Sequence, residues 1–309
     1  MAKYVGISSV LEKAQRNGIS DHSLPGGAST LLPMDISGVS WVNGSLIEPG
    51  QRAILPNDHS VIVGDGVFET LQVYEGRPFA LARHLKRLKK SSEGLGLLPP
   101  DKKKIKEAID AVLHADPEAG LIRITWSSGS GVLGSARGNN PGTLIVATQG
   151  RKVWPPSESI HIVPWPRNER GALTGLKTTS YAENVLALER AHQRECDEAL
   201  FLNTRGLLCE GTGTNIFLVI NAELVTPPLS SGCLAGITRE LVLEITEVVE
   251  RNITPEELSD CSEAFLTSST RDLSPVSRFD DLVLPFCPGP TTKKIGQAFS
   301  ELKSSQSDP

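Results

Sequence analysis

Alternating hydrophobic and polar positions predict β-strands in both halves of the chain. The pairs Asn43-Gly44 and Glu75-Gly76 predict tight turns between neighbouring strands, because glycine accepts the positive φ angles that two-residue hairpin turns require. The predicted strands are a hairpin over 40–47, then 67–74, 78–82, 121–126, 143–148, 160–163, a three-strand meander of 199–203, 207–210 and 216–220 closed by 224–226, and 264–266.

Apolar residues that recur every three or four positions predict helices between these strands. Ser180 and Glu183 have the spacing of a capping box, which places the start of one helix at Tyr181. The predicted helices are a basic amphipathic helix over 82–93, then 100–115, 181–195, 237–251 and a short helix from Pro255, with a polar loop running through Ser274. Strands mixed with helices in both halves predict an α+β fold.

A chain of 309 residues is long enough for roughly two domains. The best linker candidate is 150–157, because its consecutive prolines, Pro155-Pro156, stiffen a segment that few contacts cross. We therefore expect an N-terminal extension over 1–38, a small α+β domain over 39–150, a larger α+β domain over 151–303 and a polar tail over 304–309.

Charge and hydropathy exclude several classes of protein. The 31 Lys+Arg against 36 Asp+Glu give a net charge of −5, which argues against a nucleic-acid binder that works by neutralising phosphates. No run of about 18 apolar residues is present, so we expect no membrane span. The first residues lack the apolar segment of a secretory signal, and we therefore expect a cytoplasmic protein.

Cysteine and histidine spacing excludes simple thiol and metal chemistry. The five cysteines contain no C-x-x-C pair, which fits free thiols in a reducing compartment better than a disulfide framework or a zinc ribbon. His84 and His161 lack a second ligand candidate three or four residues further along the chain, and no metal site is predicted. An enzyme of this composition would need its reactive group from elsewhere.

Lys177 is the first candidate for that chemistry. It lies just before the helix predicted to start at Tyr181, where the positive end of the helix dipole disfavours an ammonium ion. Such a position favours the neutral amine that forms a Schiff base. The alternative is a solvated surface lysine that extends away from the helix.

Three further segments carry candidate binding groups. Glu210 ends a strand before a glycine turn, where it could accept a proton from a heterocyclic nitrogen or simply be a charge at a strand edge. The segment 234–239 runs into a helix, so its free amides and the Thr238 hydroxyl could bind phosphate or only cap the helix. The turn 268–270 offers more hydroxyls, and Arg87 could supply a cation or be one charge of a solvated face.

Together these residues, in this order, resemble the pyridoxal 5'-phosphate (PLP) enzymes of fold type IV. The matching pieces are Arg87 in His-Leu-Lys-Arg-Leu, Lys177, Glu210, 236–239 and 268–270, with 64–70 in the first half. The family comprises branched-chain and D-amino-acid aminotransferases, amine transaminases and aminodeoxychorismate lyase. The resemblance covers about 39–302 and implies a two-domain α+β homodimer whose larger domain holds most of the cofactor.

The resemblance also implies roles for individual residues. Lys177 would be the catalytic lysine that binds the cofactor and carries the substrate proton, and Glu210 would hold the proton of the pyridine nitrogen. The remaining implied cofactor-binding residues are Arg87, Ile237, Thr238 and Ser269 at the phosphate and Tyr181 at the phenolic oxygen, with Tyr181 one residue nearer to Lys177 than in branched-chain enzymes.

The member of the family is less clearly specified. Phe68-Glu69-Thr70 replaces the Phe-Glu-Gly of branched-chain enzymes and is closer to the lyase branch. Substrate-binding candidates are Thr70, Thr270 and Arg137, since a guanidinium pairs with a carboxylate through two hydrogen bonds. The expected function is transfer of an amino group between a small amino acid, or a carboxylated amine, and a 2-oxo acid. The alternatives are aminodeoxychorismate lyase, which releases pyruvate and 4-aminobenzoate, and a non-catalytic α+β binding protein.

Overall fold

The computed structural model describes residues 38–48 and 51–309, which contain fifteen β-strands and six α-helices. The strands are β1 (Ser40–Val42), β2 (Ser45–Ile47), β3 (Gly66–Tyr74), β4 (Arg77–Pro78), β5 (Leu121–Ser127), β6 (Thr143–Gln149), β7 (Glu158–Ile162), β8 (Glu198–Leu202), β9 (Leu208–Gly211), β10 (Asn215–Ile220), β11 (Glu223–Thr226), β12 (Val249–Glu250), β13 (Cys261–Ser268), β14 (Asp272–Phe279) and β15 (Leu282–Val283). The helices are α1 (His59–Ile62), α2 (Leu81–Gly94), α3 (Lys102–Ala115), α4 (Ala182–His192), α5 (Ile237–Ile245) and α6 (Pro290–Ser305). Apart from Gly38, the predicted extension 1–38 lies outside the described residues.

The first sheet is antiparallel throughout, with strand order β2-β1-β6-β5-β3-β4. The turn predicted at Asn43-Gly44 is confirmed, and both residues have positive φ angles, 46° and 115°. Helices α2 and α3 cover one face of this sheet. The core between them is aliphatic and includes Leu71, Leu85, Leu88, Ile105, Ile109, Ile122 and Ile124.

The second sheet has nine strands in the order β12-β11-β10-β13-β14-β7-β8-β9, with β15 paired to β14. Three of its pairs are parallel, β11–β12, β14–β7 and β7–β8. Helices α5 and α6 pack on it through a cluster that contains the stacked rings of Phe217 and Phe265, 4.9 Å apart. Helix α4 packs elsewhere through Ala187 and Ala191 against Phe201. The mixture of sheets and helices confirms the predicted α+β class.

Backbone contacts tie a segment from the second half of the chain to the first sheet. The Phe68 N–H donates to the Lys177 carbonyl (2.9 Å), and the Thr179 N–H donates to the Gly66 carbonyl (2.8 Å). Residues 177–179 therefore run alongside the start of β3 in the antiparallel direction. The division of the chain into two domains at 150–157 stays a prediction.

Residues of the predicted polar tail 304–309 complete the first turn of α2. The Ala80 N–H donates to the Ser307 carbonyl and the Ala82 N–H to Asp308 Oδ1, both over 2.8 Å. Arg83 Nε donates to the Pro309 carbonyl (2.8 Å). Helix α2 has no side-chain cap of its own, so these residues satisfy amides that a helix start leaves open.

Two predicted elements are wrong in detail, one in the first half of the chain and one at the start of α4. The strand expected over 78–82 ends at Pro78, because Ala80 takes a left-handed conformation (φ 55°) and α2 begins at Leu81. The capping box at Ser180 does not form. Its hydroxyl donates instead to the Gly64 carbonyl (3.0 Å), and the Glu183 carboxylate pairs with Arg167.

Three predictions in the second half also need correction. The helix expected over 237–251 ends at Ile245, because Thr246 is extended and 249–250 pairs with β11. The polar loop expected through Ser274 is strand β14, whose buried Ser274 hydroxyl donates to Glu158 (2.5 Å). The expected meander is two hairpins, β8–β9 and β10–β11, because β10 pairs with β13 rather than with β9.

Candidate active site

One cavity of about 460 Å³ is lined by residues of both sheets and by the turns that precede α4 and α5. It brings together nearly all the residues singled out from the sequence. Those that line it are Thr70, Arg87, Lys177, Tyr181, Glu210, Ile237, Thr238, Ser269 and Thr270, whereas Arg137 does not. Residues far apart in the chain therefore share one chemical environment.

Lys177 is half-buried and faces aromatic rings rather than bulk water. Its Nζ lies 4.3 Å from the ring centre of Phe68 and 5.6 Å from that of Tyr181, and these rings pack edge to face, 5.1 Å apart. Its backbone is fixed on both sides, since the Lys177 N–H donates to Ser91 Oγ (3.1 Å) and its carbonyl accepts from Phe68. The alternative of a freely solvated lysine does not fit this placement.

Glu210 enters the cavity from β9. The Leu234 N–H donates to its Oε2 (2.8 Å), and Arg167 Nε lies 3.5 Å from its Oε1. Burial raises the pKa of the Glu210 carboxyl, and the nearby guanidinium and amide only partly oppose this effect. A carboxyl group with a raised pKa can share a proton with a basic nitrogen that lies next to it.

Arg87 is buried, because its guanidinium is paired with a carboxylate that sequence reasoning did not single out. Its Nε and Nη2 donate to the two oxygens of Glu69 over 2.8 and 2.7 Å, and its Nη1 donates to the Ala235 carbonyl (2.8 Å). Burial raises the pKa of Glu69, but the Arg87 charge and the hydrogen bonds from Arg87 and His84 outweigh it and lower the pKa to about 2. The alternative of Arg87 as one charge of a solvated face does not fit this placement, and its predicted role at the phosphate stays a prediction.

The start of α5 lies at the same end of the cavity. Gly236 makes no side-chain cap, so the amides of the first turn stay open for an anion. A side chain at Gly236 would clash with Asn215 Oδ1. Because glycine has no side chain, the backbone at this position can lie close to Asn215. The Oγ1 atoms of Thr214 and Thr267, two other lining residues, are buried without a hydrogen-bond partner in the described part of the chain.

Ser269 completes this end of the cavity. Its Oγ lies 3.3 Å from Nε2 of His84, which is 1% exposed. The other ring nitrogen of His84 lies 2.7 Å from Glu69 Oε2. Helix α2 thus contributes both a cation and a histidine, one turn apart, to the surroundings of the predicted phosphate site.

The three substrate-binding candidates have different positions. Thr70 lies on β3 and Thr270 in the turn after β13, and both line the cavity. Arg137 lies outside it, where its Nε and Nη2 donate to Asp65 (2.7 and 2.6 Å) and its guanidinium also donates to the carbonyls of 95 and 96. Its predicted role in binding a substrate carboxylate stays a prediction.

Two further arginines line the cavity and were missed from the sequence. Arg123 stacks on Phe68, with its guanidinium carbon 3.7 Å from the ring centre, and forms no ion pair with any residue that the structure describes. Its position between the buried Ile122 and Ile124 of a strand was the available signal. Arg167, which contacts Glu210, follows Trp165-Pro166 in an irregular segment that carried no such signal.

No group of three histidine, cysteine or carboxylate side chains among the described residues could hold a metal ion, and no helix within 38–48 or 51–309 is long and apolar enough to cross a membrane. The five cysteines are free; Cys287 is exposed and the other four are buried. Burial raises the pKa of Cys233 to about 11, so this thiol is protonated at neutral pH.

Comparison of the sequence with known proteins gives consistent matches over most of the chain. The sequence model of the family described as "Amino-transferase class IV" matches residues 66–279. A putative branched-chain-amino-acid aminotransferase of Methanocaldococcus jannaschii is 31% identical over 291 residues, 85% of this chain and 96% of the relative. An aminodeoxychorismate lyase of Bacillus subtilis is 27% identical over 256 residues, 78% of this chain and 87% of the relative.

The structure is also similar to solved structures. One is the branched-chain aminotransferase of the thermophilic archaeon Thermoproteus uzoniensis, determined with norvaline. It matches with a TM-score of 0.78 at 28% identity, covering 85% of this chain and 94% of that chain. The similarity confirms the α+β class and the fold type IV architecture that the sequence resemblance implied.

Proposed function

Because the chain belongs to the class IV aminotransferases, we propose that it binds PLP in the cavity and transfers an amino group from a small amino acid, or a related carboxylated amine, to a 2-oxo acid. Family membership confirms the predicted enzyme and sets aside the non-catalytic binding protein. The observation that carries the proposal is that Lys177 and Glu210 line one cavity with Arg87 and the open start of α5.

The donor set of the cavity fits a phosphorylated pyridine. The open amides at Ile237 and Thr238 would hold the phosphate, together with the Ser269 hydroxyl and the positive charge of Arg87.

The remaining residues would act on the ring and on the substrate. When bound, PLP supplies an aldehyde for the amine and a ring that withdraws electrons. Lys177 Nζ would bind the aldehyde carbon and then move the substrate proton, with its approach limited by Phe68 and Tyr181. Glu210, whose pKa burial raises, would hold a proton at the ring nitrogen, and Tyr181 would donate to the phenolic oxygen.

Arg123 supports a carboxylated substrate. Its guanidinium lines the cavity beside Phe68, and no carboxylate of the described residues neutralises it. A charge in that position favours anionic ligands, and the planar guanidinium can donate two parallel hydrogen bonds to a carboxylate. Thr70 on β3 lies opposite Arg123 on β5, and its hydroxyl could donate a further hydrogen bond to the same carboxylate.

Aminodeoxychorismate lyase is the second candidate. It is favoured by the Phe68-Glu69-Thr70 sequence and by the 27% identity to the lyase of Bacillus subtilis. The lyase reaction would use the same Lys177 and Glu210, so these residues do not distinguish the two reactions. The products do, because only the lyase releases 4-aminobenzoate and pyruvate.

The decisive experiment combines cofactor detection with a substrate panel. The purified protein should take up PLP, and borohydride should fix the cofactor to Lys177, as located by peptide mass spectrometry. Lys177→Ala should lose both the label and all turnover, whereas the control Lys89→Ala, in an exposed ion pair with Glu93, should keep them. A protein that takes up no PLP would contradict the proposed function.

The substrate panel then separates the two reactions. L-leucine and D-alanine are each assayed with 2-oxoglutarate, and aminodeoxychorismate is assayed alone. Faster amino transfer than 4-aminobenzoate release supports the aminotransferase, and the reverse supports the lyase.

We also propose that the enzyme is a homodimer that works in the cytoplasm. Exposed apolar side chains at Leu55, Val61 and Leu133 provide surface for a subunit contact, and five free thiols suit a reducing compartment. Sedimentation equilibrium of the purified protein tests the dimer, which a monomer at micromolar concentration would contradict. Fractionation of expressing cells tests the compartment.

A further inference from the structure

His84 connects two residues at the proposed phosphate end of the cavity. Its Nδ1 lies 2.7 Å from Glu69 Oε2 on β3, and its Nε2 lies 3.3 Å from Ser269 Oγ in the turn after β13. The ring is 1% exposed, so both nitrogens depend on these partners. Neither the sequence pattern nor the proposed reaction gives this histidine a task.

The direction of the protons follows from the two ends of this chain of contacts. Glu69, paired with Arg87, has a pKa of about 2, so it is an ionised acceptor and His84 Nδ1 must carry a hydrogen. Burial lowers the pKa of His84, so the ring is neutral at neutral pH and Nε2 is an acceptor. The single Ser269 hydroxyl proton then points at His84 and away from the cavity.

We propose that His84 is a positioning residue for the phosphate, which takes up a proton at Nε2 when the phosphate binds and thereby turns the Ser269 hydroxyl toward it. The inference rests on the proposed function. One proton comes from solvent to Nε2; the new N–H donates to Ser269 Oγ, and the Ser269 O–H donates to a phosphate oxygen. No covalent bond between heavy atoms is made or broken.

The charges around His84 allow this exchange. Glu69 from β3 and Arg87 from α2 form an ion pair beside the ring, and Lys177, from the segment before α4, is the third charged group whose field acts on it. In the cavity without ligand, burial disfavours a charged imidazole, the Arg87 and Lys177 charges add to this effect, and Glu69 opposes it. A phosphate dianion reverses the balance, because it adds two negative charges next to Ser269.

The test measures PLP affinity of the apoenzyme as a function of pH, by fluorescence titration. Coupling to one proton predicts that the dissociation constant of PLP rises by up to about tenfold per pH unit above the pKa of free His84. Pyridoxal is the reference ligand, because it reacts with Lys177 in the same way but has no phosphate. Its dissociation constant should not share this rise.

Two variants assign the proton to His84. His84→Gln should remove the pH dependence and weaken PLP binding by about tenfold, as expected for loss of one charge-assisted hydrogen bond. Ser269→Ala should have the same two effects, and the double variant should bind PLP no more weakly than either single variant. His59→Gln is the matched control, since His59 is equally buried but its ring lies near the Val132 carbonyl and Asp65, neither of which lines the cavity, whereas His84 contacts the lining residue Ser269.

The outcomes separate this inference from the proposed function. If His84→Gln and the unaltered enzyme bind PLP with the same pH profile, His84 has no such role, although the proposed function stands. Should His84→Gln fail to fold, Ser269→Ala carries the same comparison. A protein that binds neither PLP nor pyridoxal contradicts both proposals.

Discussion

Glu69 on the first sheet is a buried carboxylate and Glu210 on the second is a half-buried one, and their pKa values shift in opposite directions. Glu69 is the more deeply buried, yet its pKa falls to about 2, whereas burial raises the pKa of Glu210. The difference lies in their donors. Glu69 faces both arms of Arg87 and the His84 ring, while Glu210 has one amide at 2.8 Å and a guanidinium at 3.5 Å.

This contrast separates two uses of a carboxylate. A carboxylate surrounded by charged donors stays ionised and serves to hold those donors in place, as Glu69 holds Arg87. A half-buried carboxylate with few donors keeps an affinity for protons, as Glu210 does. The depth of burial alone does not determine which of the two uses applies. The number of cationic donors and their distances from the carboxylate determine it.

The largest expected effect comes from breaking the Glu69 pair. Glu69→Gln leaves the Arg87 guanidinium buried without a counter-charge, so the free energy of unfolding should fall by about 3–5 kcal/mol. Urea denaturation followed by circular dichroism measures this change. The control Glu93→Gln breaks an exposed pair with Lys89 and should cost less than about 1 kcal/mol. Equal losses in both variants would contradict the comparison.

Glu210→Gln should have the opposite profile. The cofactor should remain bound and the free energy of unfolding should change by less than about 1 kcal/mol, since a neutral amide suits the half-buried site. Turnover should fall by about a hundredfold or more, because the amide cannot hold the ring proton. Steady-state kinetics measure it, with Glu183→Gln as the control that removes the other carboxylate of Arg167. A fully active Glu210→Gln enzyme would disprove the role.

The acid dependence of stability should distinguish the same two residues. Glu69 has a folded-state pKa of about 2, below its ordinary 4.5, so its contribution is present above about pH 4.5 and is lost as the pH falls toward 2. Glu210 has a raised pKa, so its contribution is present below its unfolded pKa and is lost as the pH rises through its folded pKa. Urea midpoints from pH 2 to 7 should therefore fall less steeply in acid for Glu69→Gln than for the unaltered enzyme. A parallel curve would count against the pKa assignment.

The smallest effect is expected at another carboxylate, Asp65, which accepts two hydrogen bonds from Arg137. Arg137 donates two hydrogen bonds to Asp65, as Arg87 does to Glu69, but the Arg137 side chain is 36% exposed. Arg137→Gln should therefore lower the free energy of unfolding by less than about 1 kcal/mol. The KM for carboxylated substrates should change by less than about threefold. A rise in KM above tenfold would restore the predicted substrate role of Arg137.

Local patterns predicted the parts of this molecule whose cause is local. The hairpin at Asn43-Gly44 and the helix over 82–93 follow from turn chemistry and from helical spacing, and both are observed within one or two residues. Lys177 was placed before a helix start, where the structure has it. The capping box at Ser180 failed because Gly64, more than a hundred residues away, takes the serine hydroxyl.

The missed residues depend on contacts that no local pattern records. Glu69 matters because β3 lies beside α2, which places it against both Arg87 and His84. Arg123 lines the cavity because β5 pairs with β3 and presents it next to Phe68. The sequence predicts Arg87 as a cation for the phosphate, and only the fold shows that Glu69 is its counter-ion.

The bonds from 307–309 to the start of α2 have a consequence for the time course of synthesis. Asp308 lies 226 residues downstream of Ala82, whose amide it accepts. At about 5–20 residues per second, a ribosome needs roughly 10–45 seconds to cover that interval. During that interval, the helix that carries His84 and Arg87 lacks the hydrogen-bond partners that 307–309 provide for its first turn. The end of the cavity that these residues form is therefore completed only after the 226 residues that follow Ala82 have been made.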